Sequence, residues 1–291
     1  MNSSKLVQRY RVTDGRKFRL KDFDAADTAG ISRHKHAARI LEDDIVRLRV
    51  LQDKLYAQDR WAVLLIFQGM DAAGKDSTIN HVLSGVNPQG CEVFSFKQPS
   101  EEELDHDYMW RALCRLPRRR HIGIFNRSYY EEVLVARVHP EVLQNERIPP
   151  SLMGKDIWDE RFTDIRAVEQ YLSRNGTVIR KFFLHLSRKE QKQRFLARLE
   201  EPEKNWKFSL SDIQERGFWD GYVRAYEEMI RQTATPYAPW HVVPADNKWF
   251  ARLVVAAVVV ETLQELHPEY PAVDKQRRAE LQKVRKVLER A

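Results

Sequence analysis

Cysteine is scarce: the 291 residues hold two, Cys91 and Cys114. Two thiols build neither a disulfide scaffold nor, unaided, a four-ligand zinc site, and the expectation is a reduced, cytoplasmic protein. Long apolar runs are missing too. The longest, Leu253 to Val260, has eight residues, whereas a membrane span needs about 20. The opening MNSSKLVQRY lacks the apolar stretch of a secretory leader. There is no internal repeat, no low-complexity tract, no nucleic-acid-binding module and no Ser-His-Asp constellation. Hydrophobic residues at 43% and charged residues at 31% exclude the disordered and fibrous classes. The length suffices for a sizeable core.

Charge is unbalanced. Lys and Arg number 49 against 42 Asp and Glu, a formal excess of +7. That favours an anionic partner without choosing among nucleic acid, nucleotides and polyphosphate.

Periodicity organises the rest. Residues 1–33 are polar and read as an arm laid over the surface. A helical stripe follows, with Leu41, Ile45, Leu48, Leu51 and Leu55 on one face; arm and helix together occupy 1–59. The apolar run Trp61 to Phe67 suits a parallel strand buried on both faces. Further strands are predicted at Glu92–Phe96, His121–Asn126, Thr177–Leu186 and Trp240–Pro244. Helices are predicted near 101–116, 128–138, 155–174, 188–200, 211–233 and 247–266. Strand alternating with helix predicts a layered α/β fold with a mostly parallel, five-stranded sheet. Neither Pro149-Pro150 nor Pro202 separates self-sufficient halves, so one domain over 1–291 is expected. The tail 268–291 is basic, and Leu281, Val284 and Leu288 give it a helical stripe suited to packing or to contact between subunits.

The sharpest motif is Gly69-Met70-Asp71-Ala72-Ala73-Gly74-Lys75, a G-x-x-x-x-G-K loop between a buried strand and a helix. Its glycines let successive N–H groups turn inward, the helix N-terminus adds partial positive charge, and the lysine reaches phosphate oxygens. Gly69, Ala72, Ala73, Gly74, Asp76 and Ser77 are the candidate phosphate-binding positions around Lys75. The position after the lysine ordinarily carries a metal-binding hydroxyl, but here it is Asp76. Asp71 places a carboxylate inside the loop, which makes sense if Mg²⁺ lies between it and the phosphates. Ile122 to Phe125 form an apolar strand ending at Asn126-Arg127-Ser128, where a doubly wound sheet binds ligands. Asn126 stands where an acid is expected, and Glu131 or Glu132, one turn on, can restore the charge; a first-turn acid facing the helix dipole is the plainer explanation.

Arg188, Lys189, Lys192, Arg194, Arg198, Lys204 and Lys207 cluster around Pro202. They suit either a basic lid over 188–210 that closes on an anion or a solvated face paired with Glu190, Glu200, Glu201 and Glu203. Arg118-Arg119-Arg120 reads as a phosphate-guiding patch or a surface loop. The acidic stretch Glu101 to Asp107 has no convincing metal spacing. Trp206, between two lysines, is a candidate exposed ring.

Taken together these segments resemble the family 2 polyphosphate kinases. The stretch Phe67 to Asp76 is similar to that family's phosphate loop. Ser84 to Gly90, Leu104 to Asp107, Phe125 to Leu134, Glu203 to Phe208 and Val243 to Phe250 are similar to its further motifs, so the resemblance runs from about residue 30 to 267. It implies a P-loop, thymidylate-kinase-like three-layer α/β/α fold with a helical lid. It also implies reversible phosphoryl transfer between inorganic polyphosphate and a nucleotide with Mg²⁺, for which Mn²⁺ substitutes. By the same resemblance Asp71 is the metal ligand and Lys75 a phosphate ligand, while Arg127, Lys204 and Lys207 hold polyphosphate or the transferring phosphoryl oxygens; Arg188 and Arg194, from the basic run, are further candidate phosphate-binding residues. Asn126 with Glu131 looks like the class accepting AMP and often ADP. Adenine nucleotides are the expected acceptors, guanine nucleotides further ones, and a homodimer or homotetramer the expected assembly, with no membrane or nucleic-acid partner. An ATP-dependent nucleotide kinase and a basic nucleic-acid-binding protein are the alternatives.

Overall fold

The computed structural model describes residues 3–31, 35–206 and 209–290. Six strands form one sheet: β1 Arg11–Val12, β2 Ala62–Gln68, β3 Cys91–Ser95, β4 Ile122–Asn126, β5 Thr177–His185 and β6 Trp240–Pro244. Their order is β1-β6-β5-β2-β4-β3. Neighbours pair in parallel except β1, which runs antiparallel to β6.

All seven residues of β2 are buried, as its unbroken apolar composition requires of a central strand covered on both faces. Val63, Leu64, Leu65 and Ile66 are at most 1% exposed, and each contributes roughly 1.5–3 kcal/mol by leaving water. One covering layer holds helices Ser3–Tyr10, Lys35–Gln58, Lys75–Val82 and Lys248–Glu265, whose buried residues form one core cluster. The other holds helices Glu131–Val138, Ile157–Arg174 and Trp219–Thr233 and their cluster. The apolar run Leu253 to Val260 is buried almost all round inside its helix. No described helix is long and apolar enough to cross a membrane.

Five predicted strands are present within a residue or two of their expected bounds, and the sheet is extended by a sixth, Arg11–Val12. The N-terminal segment is therefore more than a surface arm: Leu6, Val7 and Tyr10 are buried against the main core. A two-residue strand is too short to leave a periodic signal. The expected helix over 101–116 is two short ones, Glu101–Leu104 and Trp110–Leu113, separated at Asp107, whose carboxylate bonds the Met109 N–H in the turn geometry that competes with helix. The expected helix over 211–233 divides at Phe218 into Leu210–Gly217 and Trp219–Thr233. The tail helix, Lys275–Leu288, is exposed on every face, so it is not packed on its own chain.

The register places the site. Phe67 pairs with Asn126, and Asn126 with Ser95, so β2, β4 and β3 end side by side at the carboxyl edge. Successive strands leave β2 in both directions, and ligands of such sheets bind at that switch point.

Candidate functional site

The chain leaves β2 through a doubled-back loop that opens into helix Lys75–Val82. A Cβ at Gly69 would lie 3.0 Å from the Leu184 carbonyl oxygen, so only glycine lets the loop approach β5 that closely. Gly74, at φ 96°, turns the chain into the helix, and Ala72 is held at φ 62° despite its side chain. The half-buried Lys75 folds back over the loop, its Nζ donating to the Gly69 carbonyl at 2.5 Å. Burial and the charge of Arg127 push the Lys75 ammonium below its ordinary value, while Asp71, Glu131 and Asp76 oppose them. Asp76 and Ser77 are exposed, and Ser77 Oγ donates to the Gly74 carbonyl.

Across the edge, Asn126 Nδ2 donates to Asp76 Oδ1, joining the end of β4 to the loop helix. Asn126 Oδ1 is buried with no hydrogen-bond partner, and an orphaned acceptor in a polar site asks for a ligand. Arg127 adopts φ 63°, a left-handed conformation uncommon for a residue with a side chain. Its N–H donates to the Phe67 carbonyl at 3.0 Å, and its guanidinium reaches Asp71 at 3.2 Å and Glu131 at 3.8 Å. The charge of Glu131 holds the guanidinium still more firmly protonated. Burial raises the Glu131 carboxyl, against the pull of Arg127 and Lys75. Glu132 lines the smaller of two cavities at this edge, bonding Arg111 at 3.0 Å, and burial pushes it up to about 7.

Arg127 and Glu131 border both of these adjoining cavities. One, of about 410 Å³, lies between the phosphate loop, Arg127, Glu131 and the helices carrying Gln191, Arg216, Trp219 and Tyr222. The other, of about 290 Å³, shares Gln98, Arg127, Glu131 and Val135 with the first and adds Phe96, Pro99, Leu104 and Val142.

The basic cluster divides. Arg194 does not face the cleft. It is 8% exposed, and its guanidinium donates to the carbonyls of Ala72, Ala73, Ala245 and Asp246 while Nε bonds Glu190. Gln191 bonds the Asp71 carbonyl at 3.1 Å. The first half of helix Arg188–Glu200 is thus fastened to the phosphate loop, and the expected lid does not begin at 188. Arg188 is exposed, its carbonyl accepting from Arg216. Lys204 pairs with Glu201. Lys207 lies outside the described residues, and Trp206 is exposed as expected.

Arg119 donates to the Arg60 and Asn175 carbonyls, and Arg118 pairs with Glu92, which makes 118–120 a surface loop at the far, amino end of β4. Among the described residues no group of three or more His, Cys, Asp or Glu side chains is arranged to hold a metal, the 101–107 stretch included; Ser100 and Glu103 there form a helix cap. Sequence reading did not nominate Gln191, Asp212, Glu215, Arg216 and Tyr222 as cleft residues. The available signal was a polar and aromatic set at helical spacing, 212, 215, 216, 219 and 222, within the stretch expected as one helix over 211–233.

A phosphate loop at the switch point of a parallel sheet, with covering helices on both faces, defines the P-loop kinase class of fold. The model of the polyphosphate kinase 2 family matches residues 31–271, and the chain belongs to that family. It is 51% identical over 283 residues to the ADP-polyphosphate phosphotransferase of Rhodopseudomonas palustris, covering 97% of this chain and 98% of the relative. It is 45% identical over 268 residues to the AMP/ADP-polyphosphate phosphotransferase of Meiothermus ruber, covering 91% and 96%. The crystal structure of polyphosphate kinase 2 from Arthrobacter aurescens TC1 superposes with a TM-score of 0.88 at 36% identity, covering 97% of this chain and 96% of that one.

Proposed function

We propose that this protein moves a phosphoryl group between inorganic polyphosphate and an adenine nucleotide, AMP or ADP, in either direction, and that guanine nucleotides are further acceptors. The observation that carries the reading is the gathering of Lys75, Asp71, Arg127 and the unpartnered Asn126 Oδ1 at the carboxyl edge of the sheet, with Arg127 bordering both cavities.

The acceptor phosphate is ionised at neutral pH, so no general base is required, and catalysis rests on alignment and neutralisation of charge. Backbone amides of the loop around Gly74 and the Lys75 ammonium grip polyphosphate. The acceptor nucleoside sits in the smaller cavity against Phe96, Leu104 and Val142, its phosphate toward Arg127. That guanidinium, set between Asp71 and Glu131, borders both cavities and meets the group in transit. Arg188, Lys204 and Lys207 hold more distant parts of the polyanion, and Arg194 braces the loop from behind.

A divalent cation fits this donor set: Asp71 and Asn126 Oδ1, with Asp76 beside them, supply the one or two protein oxygens that Mg²⁺ takes alongside substrate phosphates. When bound, Mg²⁺, or Mn²⁺ in its place, neutralises phosphate charge and polarises the bond that breaks. We place the reaction in the cytoplasm, in a single domain over 1–291, and we take the exposed tail helix as a contact of a homodimer or homotetramer.

The test offers purified protein AMP, ADP, GMP or GDP with long-chain polyphosphate and Mg²⁺, with no ATP present. New phosphoanhydride bonds, followed by ³¹P NMR, support the reading. Transfer only when ATP is the donor makes the protein an ATP-dependent nucleotide kinase instead.

A further inference from the structure

A fully buried charge pair lies behind the site, and the roles above make no use of it. Lys181, central in β5, and Glu169, on helix Ile157–Arg174, are both 0% exposed. The Lys181 ammonium spends all three of its protons: on Glu169 Oε2 at 2.6 Å, Tyr130 Oη at 2.9 Å and the Thr233 carbonyl at 2.8 Å. Glu169 Oε1 accepts from the hydroxyls of Tyr129 at 2.9 Å and Tyr130 at 2.7 Å. Trp240 Nε1 donates to Thr233 Oγ1 at 2.9 Å, closing the network. One cluster therefore ties together β5, helix Ile157–Arg174, the end of helix Trp219–Thr233 and the turn that follows β4.

Stability alone is a poor reason for such a pair. Desolvating two charges costs several kcal/mol, and apolar side chains of similar volume usually do as well or better. The location supplies a better reason. Tyr129 and Tyr130 lie, with Ser128, between Arg127 and Glu131. Arg127 is in a left-handed conformation, a state that persists only where the surroundings over-determine it. Both neighbouring tyrosine hydroxyls are bolted to one buried carboxylate, which fixes the backbone on which Arg127 and Glu131 stand.

We infer that the Lys181–Glu169 pair is a positioning device for phosphoryl transfer: through Tyr129 and Tyr130 it holds Arg127 and Glu131 in reacting geometry. The inference rests on the role given to Arg127 above. Misplacing a reacting group by about 1 Å costs on the order of 100-fold in rate, so loosening this anchor acts on kcat, while a long polyanion gripped at many points keeps its KM.

The test is a kinetic cycle on the full chain. Glu169→Gln with Lys181→Met removes both charges together. Its kcat is expected to fall about 10–100-fold, with KM for polyphosphate within about threefold and cooperative melting retained. Arg127→Ala is then combined with it. If the pair acts through Arg127, the core change costs less than about threefold more in that background, because neighbours that work as a unit are not additive. Should the double core variant fail to fold, Tyr130→Phe, which deletes one hydroxyl and keeps the ring, enters the same cycle with a smaller loss expected. Equal losses with and without Arg127, or a folded core variant within twofold of parental kcat, overturn the inference and leave the site reading intact. Parental turnover in Arg127→Ala alone overturns both.

Discussion

Arg194 offers a decisive separation between gripping substrate and bracing the site. Sequence pattern makes it a phosphate ligand of a lid, whereas the structure turns it away from the cleft. Replacing it with Met leaves the carbonyls of Ala72, Ala73, Ala245 and Asp246 without their donor. Hydrogen bonds from a charged donor are worth about 1.5–3 kcal/mol each, but their losses overlap. Removing one buried charged partner costs about 3–5 kcal/mol as a whole. At roughly 2 °C per kcal/mol for a chain of this length, the ligand-free melting temperature should drop about 6–10 °C. Arg194→Lys should recover less than half of that, because one ammonium cannot span carbonyls on two loops. Calorimetry or dye-monitored melting without nucleotide or polyphosphate reads the result. A melting temperature within about 2 °C of the parent, combined with a KM for polyphosphate at least tenfold higher, would refute the bracing role and restore Arg194 as a substrate ligand.

The other expectations are briefer. Lys75→Ala should stay folded and lose about 10²–10⁴ in turnover, the usual cost of deleting a preorganised electrostatic group; near-parental ATP formation in a luminescence assay would reject the site. Asp71→Asn should bind polyphosphate more tightly than the parent in EDTA and turn over far more slowly with Mg²⁺, a reversal of sign that titration calorimetry beside the rate assay detects. Glu132, 4% exposed and raised from 4.5 to about 7, keeps a proton in the folded state that the unfolded carboxyl releases. Its contribution to stability therefore falls as pH climbs through that window, by on the order of 1–3 kcal/mol. Glu132→Gln should remove that part of the slope, so urea midpoints of parent and variant should shift relative to each other between pH 5 and pH 8 in the variant's favour.

Much of the fold was legible because its signals are local. An unbroken apolar run ending at a glycine loop reads as a strand covered on both faces, and β2 is that strand, whereas the longer run Leu253 to Val260 sits in a buried helix. The phosphate loop announces itself because glycine is required at two of its positions, for clearance at 69 and for handedness at 74. What escaped is what depends on distant partners. The strand Arg11–Val12 exists because β6 offers an edge, and two residues carry no period of their own. Arg194 and Lys204 look alike in a basic run, but the first finds carbonyls 121 and 122 positions back along the chain while the second pairs with Glu201 beside it. Lys181 interrupts an apolar strand, and its partners Glu169, Tyr130 and Thr233 come from three other elements. Spacing along one chain segment cannot reveal such meetings.

Local charge also explains why carboxylates stand in a site built for polyanions. On the cleft side of the loop, two cations, Lys75 and Arg127, stand with three acids, Asp71, Asp76 and Glu131, while Arg194 behind the loop is paired with Glu190. The excess of +7 carried by the whole chain therefore does not come from its centre. A chain of phosphates approaching this set alone meets a slight negative balance, and Asp71 occupies the guanidinium that the phosphates need. A divalent cation held by Asp71 would reverse the balance and give that carboxylate a second partner, leaving Arg127 free for the substrate. Metal and polyphosphate must then tighten each other's binding, since a coupling of this kind is reciprocal. On the proposed reading the carboxylates make the grip conditional: phosphate binds well at the loop in company with the ion that the transfer requires.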